Sequence, residues 1–302
     1  MSINPALTLI RKNRSFQGTT YRFSHLSKCL GNLEATFSIF IPDSATPNKK
    51  VPVVYYLSGL TCSDLNVTEK AGYQRVASAL GLAIACPDTS PRGGPGLDSQ
   101  CAGIPGEEDE WDFGVGAGYY VDATQDPWKK NYNMYTYVTS EFPALLGESF
   151  QQIDTTNCSV MGHSVGGHGS LTVALKNPGK YKSASAFAPA CNLSETPWGF
   201  KAFGRFFGHD DKSKWKEHDA CCLAQKYAGP ALDVKIDVGF EDFVYVNAPV
   251  DQLRCRQFRD AAAGNPNVHL DFNERPGYDH SYFFVATFME DHLKFHADHL
   301  RN

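Results

Sequence analysis

The pentapeptide Gly162-His163-Ser164-Val165-Gly166 restricts the possible folds of this chain more than any other feature of its sequence. It follows a short apolar run and precedes a helix-like segment, so we expect a tight turn between a strand and a helix. In such a turn the strand and helix pass so closely that residues two before and two after the serine need to lack a side chain, as Gly162 and Gly166 do. The turn holds the Ser164 hydroxyl at a helix N-terminus, where backbone N–H groups and the helix dipole favour a developing negative charge. The pattern predicts a nucleophile elbow for acyl transfer, and the alternative is a chance match of common residues.

The size of the chain favours one large domain. Its 302 residues, 42% of them hydrophobic, are enough for a substantial core. Neither a Pro/Gly/Ser-rich linker nor a charged run nor an internal repeat divides the sequence, so we expect a single domain over residues 1–302. The net charge of -5 and the scattered Lys and Arg residues exclude a typical nucleic-acid-binding protein.

Apolar runs and cysteines indicate the compartment. The longest apolar stretch, residues 51–57, is much shorter than the ~18 residues of a membrane helix, and the N-terminal residues lack the core of a signal peptide. The nine cysteines are spread through the chain without C-x-x-C or zinc-finger spacing, as expected for reduced thiols. We therefore expect a cytoplasmic protein without membrane association.

The order of predicted elements indicates the fold class. Strand-like and helix-like segments alternate from about residue 51 onward, which is typical of a mostly parallel central sheet with helices on both faces. Period-two alternation earlier in the chain predicts antiparallel N-terminal strands. The predicted strands are residues 20–25, 36–41, 51–57, 82–87, 157–161, 183–188, 234–238 and 268–272, and the predicted helices are about 69–80, 133–146, 164–176, 248–263 and 284–299. An irregular excursion over residues 191–219 is expected to form part of a pocket wall. The series is that of an α/β-hydrolase fold.

A serine hydroxyl is a weak nucleophile until a base, itself oriented by a carboxylate, takes its proton. In this fold the acid and then the histidine follow the serine along the chain, on loops at the carboxyl ends of strands. His280 fits the base, because it lies in a turn-rich loop between the last predicted strand and the last predicted helix. Asp242, just beyond the strand at 234–238, is the preferred acid. Glu241 is its rival if the loop turns by one residue, and capping of the next helix is another role open to Asp242.

An oxyanion hole needs two backbone N–H groups directed at the tetrahedral intermediate. One is expected from Val165, the residue after the nucleophile, and the other from Leu60, which follows a glycine in the loop after the strand at 51–57. Cys62 lies two residues further on. A thiol reagent bound there is expected to block the pocket unless this cysteine is buried and inert.

Seven segments carry a resemblance to a known family. They are YLSGLTC (56–62), PDTSPRG (87–93), WDFGVGAGYYVDAT (111–124), PWKKNYNMYTYVT (127–139), GHSVGGHG (162–169), PWGFKAF (197–203) and YDHSYFF (278–284). Over nearly its whole length the chain resembles the S-formylglutathione hydrolase (esterase D) family, cytosolic serine esterases of the α/β-hydrolase fold. By motif position the family's triad falls on Ser164, Asp242 and His280, which favours Asp242 over Glu241, and its oxyanion donors fall on Leu60 and Val165.

Two positions depart from the family pattern. Val165 stands where the family usually has methionine, and this change keeps the backbone donor but shortens the side chain near the acyl pocket. Phe243 directly follows Asp242, where the family usually has one further residue before an aromatic or apolar pair.

The resemblance implies hydrolysis of S-formylglutathione to formate and glutathione, the second half of formaldehyde detoxification, without a metal or an organic cofactor. A formyl group implies a small acyl pocket beside a wider groove for the tripeptide. Trp198, Lys201 and Phe203 are expected to line that groove, with Lys201 facing a glutathione carboxylate; ordinary packing or solvated surface is the alternative for all three. A homodimer is compatible with this resemblance.

Two other functions are compatible with the same residues. A general carboxylesterase or acyltransferase would use the same triad on another acyl donor. A catalytically silent binding protein of the hydrolase fold would leave Ser164 unreactive.

Overall fold

The computed structural model describes residues 4–92, 101–246 and 248–301. Within these residues one mixed sheet has the strand order β1-β2-β3-β5-β4-β6-β7-β8-β9. The strands are β1 (Thr8–Ser15), β2 (Gly18–Ser27), β3 (Leu33–Pro42), β4 (Val51–Leu57), β5 (Ala83–Pro87), β6 (Ile153–His163), β7 (Ser183–Phe187), β8 (Leu232–Gly239) and β9 (Val268–Arg275). The pairs β1/β2, β2/β3 and β3/β5 are antiparallel, and all later pairs are parallel. The predicted α/β-hydrolase fold, with its antiparallel N-terminal strands, is confirmed.

Helices cover the sheet. They are α1 (Asp64–Lys70), α2 (Gln74–Leu80), α3 (Met134–Thr136), α4 (Phe142–Ser149), α5 (Val165–Lys176), α6 (Pro197–Phe207), α7 (Ala220–Lys226), α8 (Cys255–Ala263) and α9 (Tyr282–Leu300). A π-helical turn, Tyr137–Glu141, joins α3 to α4. The central helix α5 contacts β4, β6 and β7, and α9 contacts β6, β7 and β8. None of the helices described for this chain is long and apolar enough to cross a membrane.

The parallel part of the sheet positions the functional loops. The carboxyl ends of parallel strands meet at one edge of a sheet, which is where ligands bind in open α/β sheets. Here residues 58–62, Ser164 and Asp242 follow the ends of β4, β6 and β8, and His280 lies in the loop after β9. Strands β4 and β6 are almost entirely buried where they pair, so the edge is backed by a rigid core.

Three predicted helices differ from the observed ones. The predicted helix 133–146 is α3, the π-helical turn and α4, which extends to Ser149. The predicted helix 69–80 is two helices, separated at Gly72 with its positive φ of 66°, and α1 begins earlier with a capping box formed by Ser63 and Asn66. The predicted helix 248–263 begins only at Cys255. Before it, the carboxylate of Asp251 accepts the backbone N–H groups of the following turn and so competes with helix formation.

The sequence patterns do not predict β1 or the helices within residues 191–219. Strand β1 is mostly exposed on the edge of the sheet and lacks the alternation that marks a half-buried strand. In the excursion, α6 begins at Pro197, with the Thr196 hydroxyl accepting from the Gly199 N–H group as its N-cap.

Candidate active site

The elbow forms because two glycines allow strand and helix to touch. A Cβ atom on Gly162 would lie 2.1 Å from the Gly166 carbonyl oxygen, and one on Gly166 would lie 2.0 Å from the Leu57 carbonyl oxygen. No side chain fits in either place. The turn forces Ser164 to φ 58° and ψ -121°, a conformation that costs about 1–3 kcal/mol and persists only where the surroundings impose it.

Backbone bonds on both sides hold Ser164 in this conformation. Its N–H group donates to the Phe187 carbonyl at the end of β7 (2.9 Å), and its own carbonyl accepts from Ala190 (3.1 Å) and His168 (3.0 Å). The strained nucleophile is therefore part of the hydrogen-bonded frame that joins β7 to α5.

The predicted base and acid meet at this serine. His280 Nε2 lies 2.9 Å from Ser164 Oγ, and His280 Nδ1 lies 2.5 Å from Asp242 Oδ2. Asp242 is 1% exposed, and its second oxygen accepts the Val244 N–H group at 2.9 Å. The buried carboxylate thus fixes the orientation and tautomer of the imidazole, which leaves Nε2 facing the hydroxyl.

The other carboxylates near the end of β8 are held elsewhere. Glu241 is exposed, and its N–H group bonds to the Tyr278 carbonyl. Asp237 lies inside β8 and accepts hydrogen bonds from Arg275 and His292. Of these three, Asp242 is the residue that the structure brings to His280.

The loop after β4 faces the nucleophile. Leu60 lines the same pocket as Ser164, and among the described residues its N–H group donates to no other group. Val165 is the first residue of α5, where the N–H groups have no partner within the helix. Leu60 is thus in the pocket of the hydroxyl, and Val165 directly follows Ser164 at the start of α5, the positions expected of the two oxyanion donors.

Three side chains anchor the loop that carries Leu60. The Tyr120 hydroxyl donates to the Ser58 carbonyl (2.7 Å), and the Cys62 carbonyl accepts from Thr89 Oγ1 (2.5 Å) and Arg92 Nη2 (2.9 Å). Both ends of the loop are fixed, as a preorganised oxyanion hole requires.

The pocket is small and mostly apolar. It encloses about 200 Å³ and is lined by Gly59, Leu60, Thr61, Cys62, Trp111, His163, Ser164, Trp198, Phe243 and His280. None of these lining residues is a lysine or an arginine.

His163 is a buried second imidazole beside the base. The two rings lie 4.6 Å apart between centroids, and neither nitrogen of His163 has a hydrogen-bond partner of normal geometry in the described parts of the chain. Burial is the main reason why the pKa of His163 lies well below its ordinary value, and the charge of His280 lowers it further. The His280 backbone raises this pKa, but by less. His163 is therefore neutral when His280 takes up a proton.

Comparison with known proteins identifies the family to which this chain belongs. A family model described as "Putative esterase" matches residues 27–295. The S-formylglutathione hydrolases of Arabidopsis thaliana and Mus musculus are 48% and 47% identical to this chain, over 97% and 98% of its residues and 98% and 99% of their own. This chain belongs to the S-formylglutathione hydrolase family of esterases. A solved structure of an S-formylglutathione hydrolase from Agrobacterium tumefaciens agrees, with a TM-score of 0.87, 43% identity and coverage of 97% of this chain and 99% of that one.

Trp198, Lys201 and Phe203, the three residues predicted to bind the tripeptide, lie in different environments in the structure. Trp198 lines the pocket. Phe203 has no exposed surface and packs inside the core against His168 and Trp215. In this arrangement it has no surface to offer a substrate.

Lys201 has a different set of partners from the predicted one. Its ammonium group donates to Glu110 Oε2 (2.6 Å) and to both oxygens of Asp112 (2.7 and 2.9 Å). These bonds pair the ammonium group with two carboxylates of the protein itself, which differs from the predicted contact with a glutathione carboxylate.

Sequence reasoning missed three side chains of the pocket. His163 directly precedes the nucleophile in the chain, and its ring lies against that of the base. Phe243, noted only as a departure from the family pattern, is 69% exposed at the pocket and contacts the His280 ring. Trp111 belongs to a conspicuous motif, but an aromatic residue in a loop has no periodicity that would reveal which way it faces.

Proposed function

We propose that this chain hydrolyses S-formylglutathione to formate and glutathione, the second half of formaldehyde detoxification, with Ser164, His280 and Asp242 as its catalytic triad. The observation that carries the proposal is the continuous hydrogen-bonded chain from Ser164 Oγ through His280 to Asp242, inside a pocket of a chain of this family. The proposed substrate, S-formylglutathione, is the one for which the similar proteins described above are named.

Acylation begins at the 2.9 Å contact between Ser164 Oγ and His280 Nε2. As the oxygen attacks the formyl carbon, His280 takes the hydroxyl proton, and the imidazolium is stabilised by the Asp242 carboxylate. The oxyanion receives hydrogen bonds from Leu60 and Val165. Each such donor is worth about 10²–10³ in rate.

Collapse of this intermediate breaks the carbon–sulfur bond. The imidazolium of His280 returns its proton to the sulfur, glutathione leaves as the thiol, and a formyl ester remains on Ser164. His280 then deprotonates a water molecule, which attacks the same carbon and releases formate and the free serine. A thioester suits this sequence because a thiolate is a better leaving group than an amine.

The properties of the pocket support a small acyl group. The pocket beside Ser164 encloses about 200 Å³ and is mostly apolar, which suits a small acyl group. The nine cysteines, all free thiols, fit a protein that works beside reduced glutathione in the cytoplasm.

Two measurements test the proposal. Hydrolysis of S-formylglutathione should exceed that of a simple aryl acetate in kcat/KM, and a strong preference for the aryl acetate would favour a general esterase instead. A fluorophosphonate should label one residue per chain, and labelling should disappear in Ser164→Ala. Absence of labelling in the unmodified protein would overturn the enzymatic role itself.

A further inference from the structure

The side chain of Trp111 is exposed although tryptophan is among the largest apolar residues. It is 59% exposed, and it lines the pocket that contains Ser164 and His280. Exposed apolar surface of this kind at a cleft marks a place where another molecule binds.

The indole of Trp198 packs against the Trp111 ring. Trp111 and Trp198 meet edge to face, with centroids 5.9 Å apart and ring planes at 85°. Trp198 is itself only 8% exposed and is held at the start of α6, where its backbone N–H group donates to Gln252 Oε1 at 3.3 Å. The buried indole is thus a rigid base for the exposed one.

The two neighbours of Trp111 in sequence are tied to the same helix. Lys201 on α6 bonds to Glu110 (2.6 Å) and to Asp112 (2.7 Å), and Arg205, one turn later, pairs with Glu110 at 2.6 Å. We name these four residues, Glu110, Asp112, Lys201 and Arg205, the acidic-basic clamp. Because Trp111 lies between Glu110 and Asp112, the clamp fixes its backbone on both sides.

Stability alone does not account for the clamp. Its ion pairs are partly exposed to solvent, and pairs of that kind add little to the free energy of folding. The four charged residues lie on two segments of the chain. Their ion pairs hold the Trp111 loop at a fixed distance from α6.

The chemistry of the proposed reaction indicates what the exposed ring meets. A formyl group has one carbon, so nearly the whole substrate is leaving group. With the reacting carbonyl at Ser164, the leaving group extends along the rest of the pocket, whose exposed aromatic lining residues are Trp111 and Phe243.

We propose that Trp111 forms the binding wall for the leaving group of the ester or thioester, and that Lys201 is the positioning residue that holds this wall through the acidic-basic clamp. The inference rests on the proposed esterase chemistry of Ser164, and it holds for any leaving group large enough to reach the indole. It replaces the predicted role of Lys201 as a direct ligand of a carboxylate.

The experiment compares two esters with the same acyl group. p-Nitrophenyl acetate has a leaving group that reaches the wall, and ethyl acetate has one that does not, while both give the same acetyl-enzyme. Trp111→Ala should lower the ratio of kcat/KM for p-nitrophenyl acetate to that for ethyl acetate by about five- to tenfold, the size expected for a lost aromatic contact. Trp111→Phe should restore part of this ratio, and S-formylglutathione should follow p-nitrophenyl acetate.

Lys201→Met tests the clamp, because it removes the charge and keeps most of the unbranched side chain. It should lower the same ratio by about threefold, and ~1 M salt, which shortens the Debye length to about 3 Å, should lower the ratio of the unmodified enzyme but not of the variant. Lys294→Met, which removes an exposed ion pair on α9, is the matched control and should leave the ratio unchanged. The thermal midpoints of all variants are measured to show that each is folded.

An unchanged ratio in Trp111→Ala would contradict the role of Trp111 in binding the leaving group. Equal effects of Lys201→Met and Lys294→Met would contradict the role of Lys201 in positioning Trp111. Failure of the proposed function is a separate outcome. It would appear as ester turnover with a leaving-group dependence on Trp111 but without hydrolysis of S-formylglutathione.

Discussion

The imidazole of His163 lies against that of His280, with 4.6 Å between ring centroids and 41° between ring planes. Burial and the neighbouring charge keep the pKa of His163 well below its ordinary value, so protonating His280 excludes a proton from His163. We therefore expect the acid limb of the kcat/KM profile to report a single ionisation. His163→Phe, which keeps a ring in this place, should keep that single ionisation. An acid limb that depends on two protons in the unmodified enzyme and on one proton in His163→Phe would contradict the conclusion that His163 stays neutral.

Ser164→Ala should lower turnover by about 10⁴-fold or more without loss of the fold, which is what removing a triad nucleophile costs. Asp242→Asn should cause a loss of similar order, because the amide favours the wrong tautomer of His280. Glu241→Gln is the matched control, since this exposed neighbour does not contact the imidazole, and its kcat should stay within about twofold of the unmodified value. A loss of less than tenfold in Ser164→Ala would remove Ser164 from the role of nucleophile.

Gly162→Ala and Gly166→Ala should abolish folding or shift the elbow enough to abolish activity. The added Cβ atoms would lie 2.1 and 2.0 Å from backbone oxygens, which have no room to move because both belong to paired elements. Gly264→Ala is the control, because this glycine has a helical φ of -80° and its nearest contact is 3.5 Å away. Soluble yield and urea unfolding distinguish the variants. A stable, active Gly166→Ala protein would show that strand and helix are further apart than described.

Cys62 should make activity sensitive to thiol reagents, but slowly. It lines the pocket with 9% of its surface exposed, and burial raises its pKa, so little thiolate is present near pH 7. Inactivation by N-ethylmaleimide should accelerate about tenfold per pH unit below that pKa, in parallel with the thiolate fraction. Cys62→Ser should be resistant. If this variant loses activity at the rate of the unmodified enzyme, another cysteine is responsible.

The elbow and its two partners could be predicted because the constraint on each is local. The glycines at 162 and 166 are required by the approach of strand to helix, and Asp242 and His280 each follow a strand at the functional edge of the sheet. Chain order and the position of a strand end are both visible in sequence.

The wall of the pocket could not be predicted in the same way. Lys201 is 91 residues from Glu110 and 89 from Asp112, and nothing in a sequence shows which of many charges such a lysine will meet. The motif containing Lys201 indicates a region beside the pocket, and in the structure this lysine pairs with Glu110 and Asp112. Strand β1 escaped detection for a related reason, since an exposed edge strand is stabilised by its neighbour β2 rather than by its own apolar pattern.

Acid should destabilise the fold through two histidines behind the elbow, the buried His168 and the partly buried His218. Burial lowers the pKa of His168, on α5, and of His218 to about 3, and Lys176 Nζ, only 3.4 Å from His218 Nδ1, opposes a further charge. In the unfolded chain these groups titrate near an ordinary pKa of about 6.5, so below that pH the unfolded state binds protons that the folded state excludes. The stability is complete above about pH 6.5 and falls as the pH drops toward 3, by about 1.4 kcal/mol per pH unit for each histidine.

The free energy of unfolding in urea, measured at pH 7 and pH 5, tests this directly. His218→Phe keeps the stacking on Phe207, whose ring centroid is 4.2 Å away, and removes the proton site, so the loss of stability between these two pH values should shrink by roughly 1.4 kcal/mol for each pH unit below 6.5. His269→Gln is the matched control, because this histidine is exposed on β9, and its pH dependence should equal that of the unmodified protein. If His218→Phe loses as much stability on acidification as the unmodified protein, the imidazole of His218 is protonated in the fold, and the burial of this cluster does not govern acid unfolding.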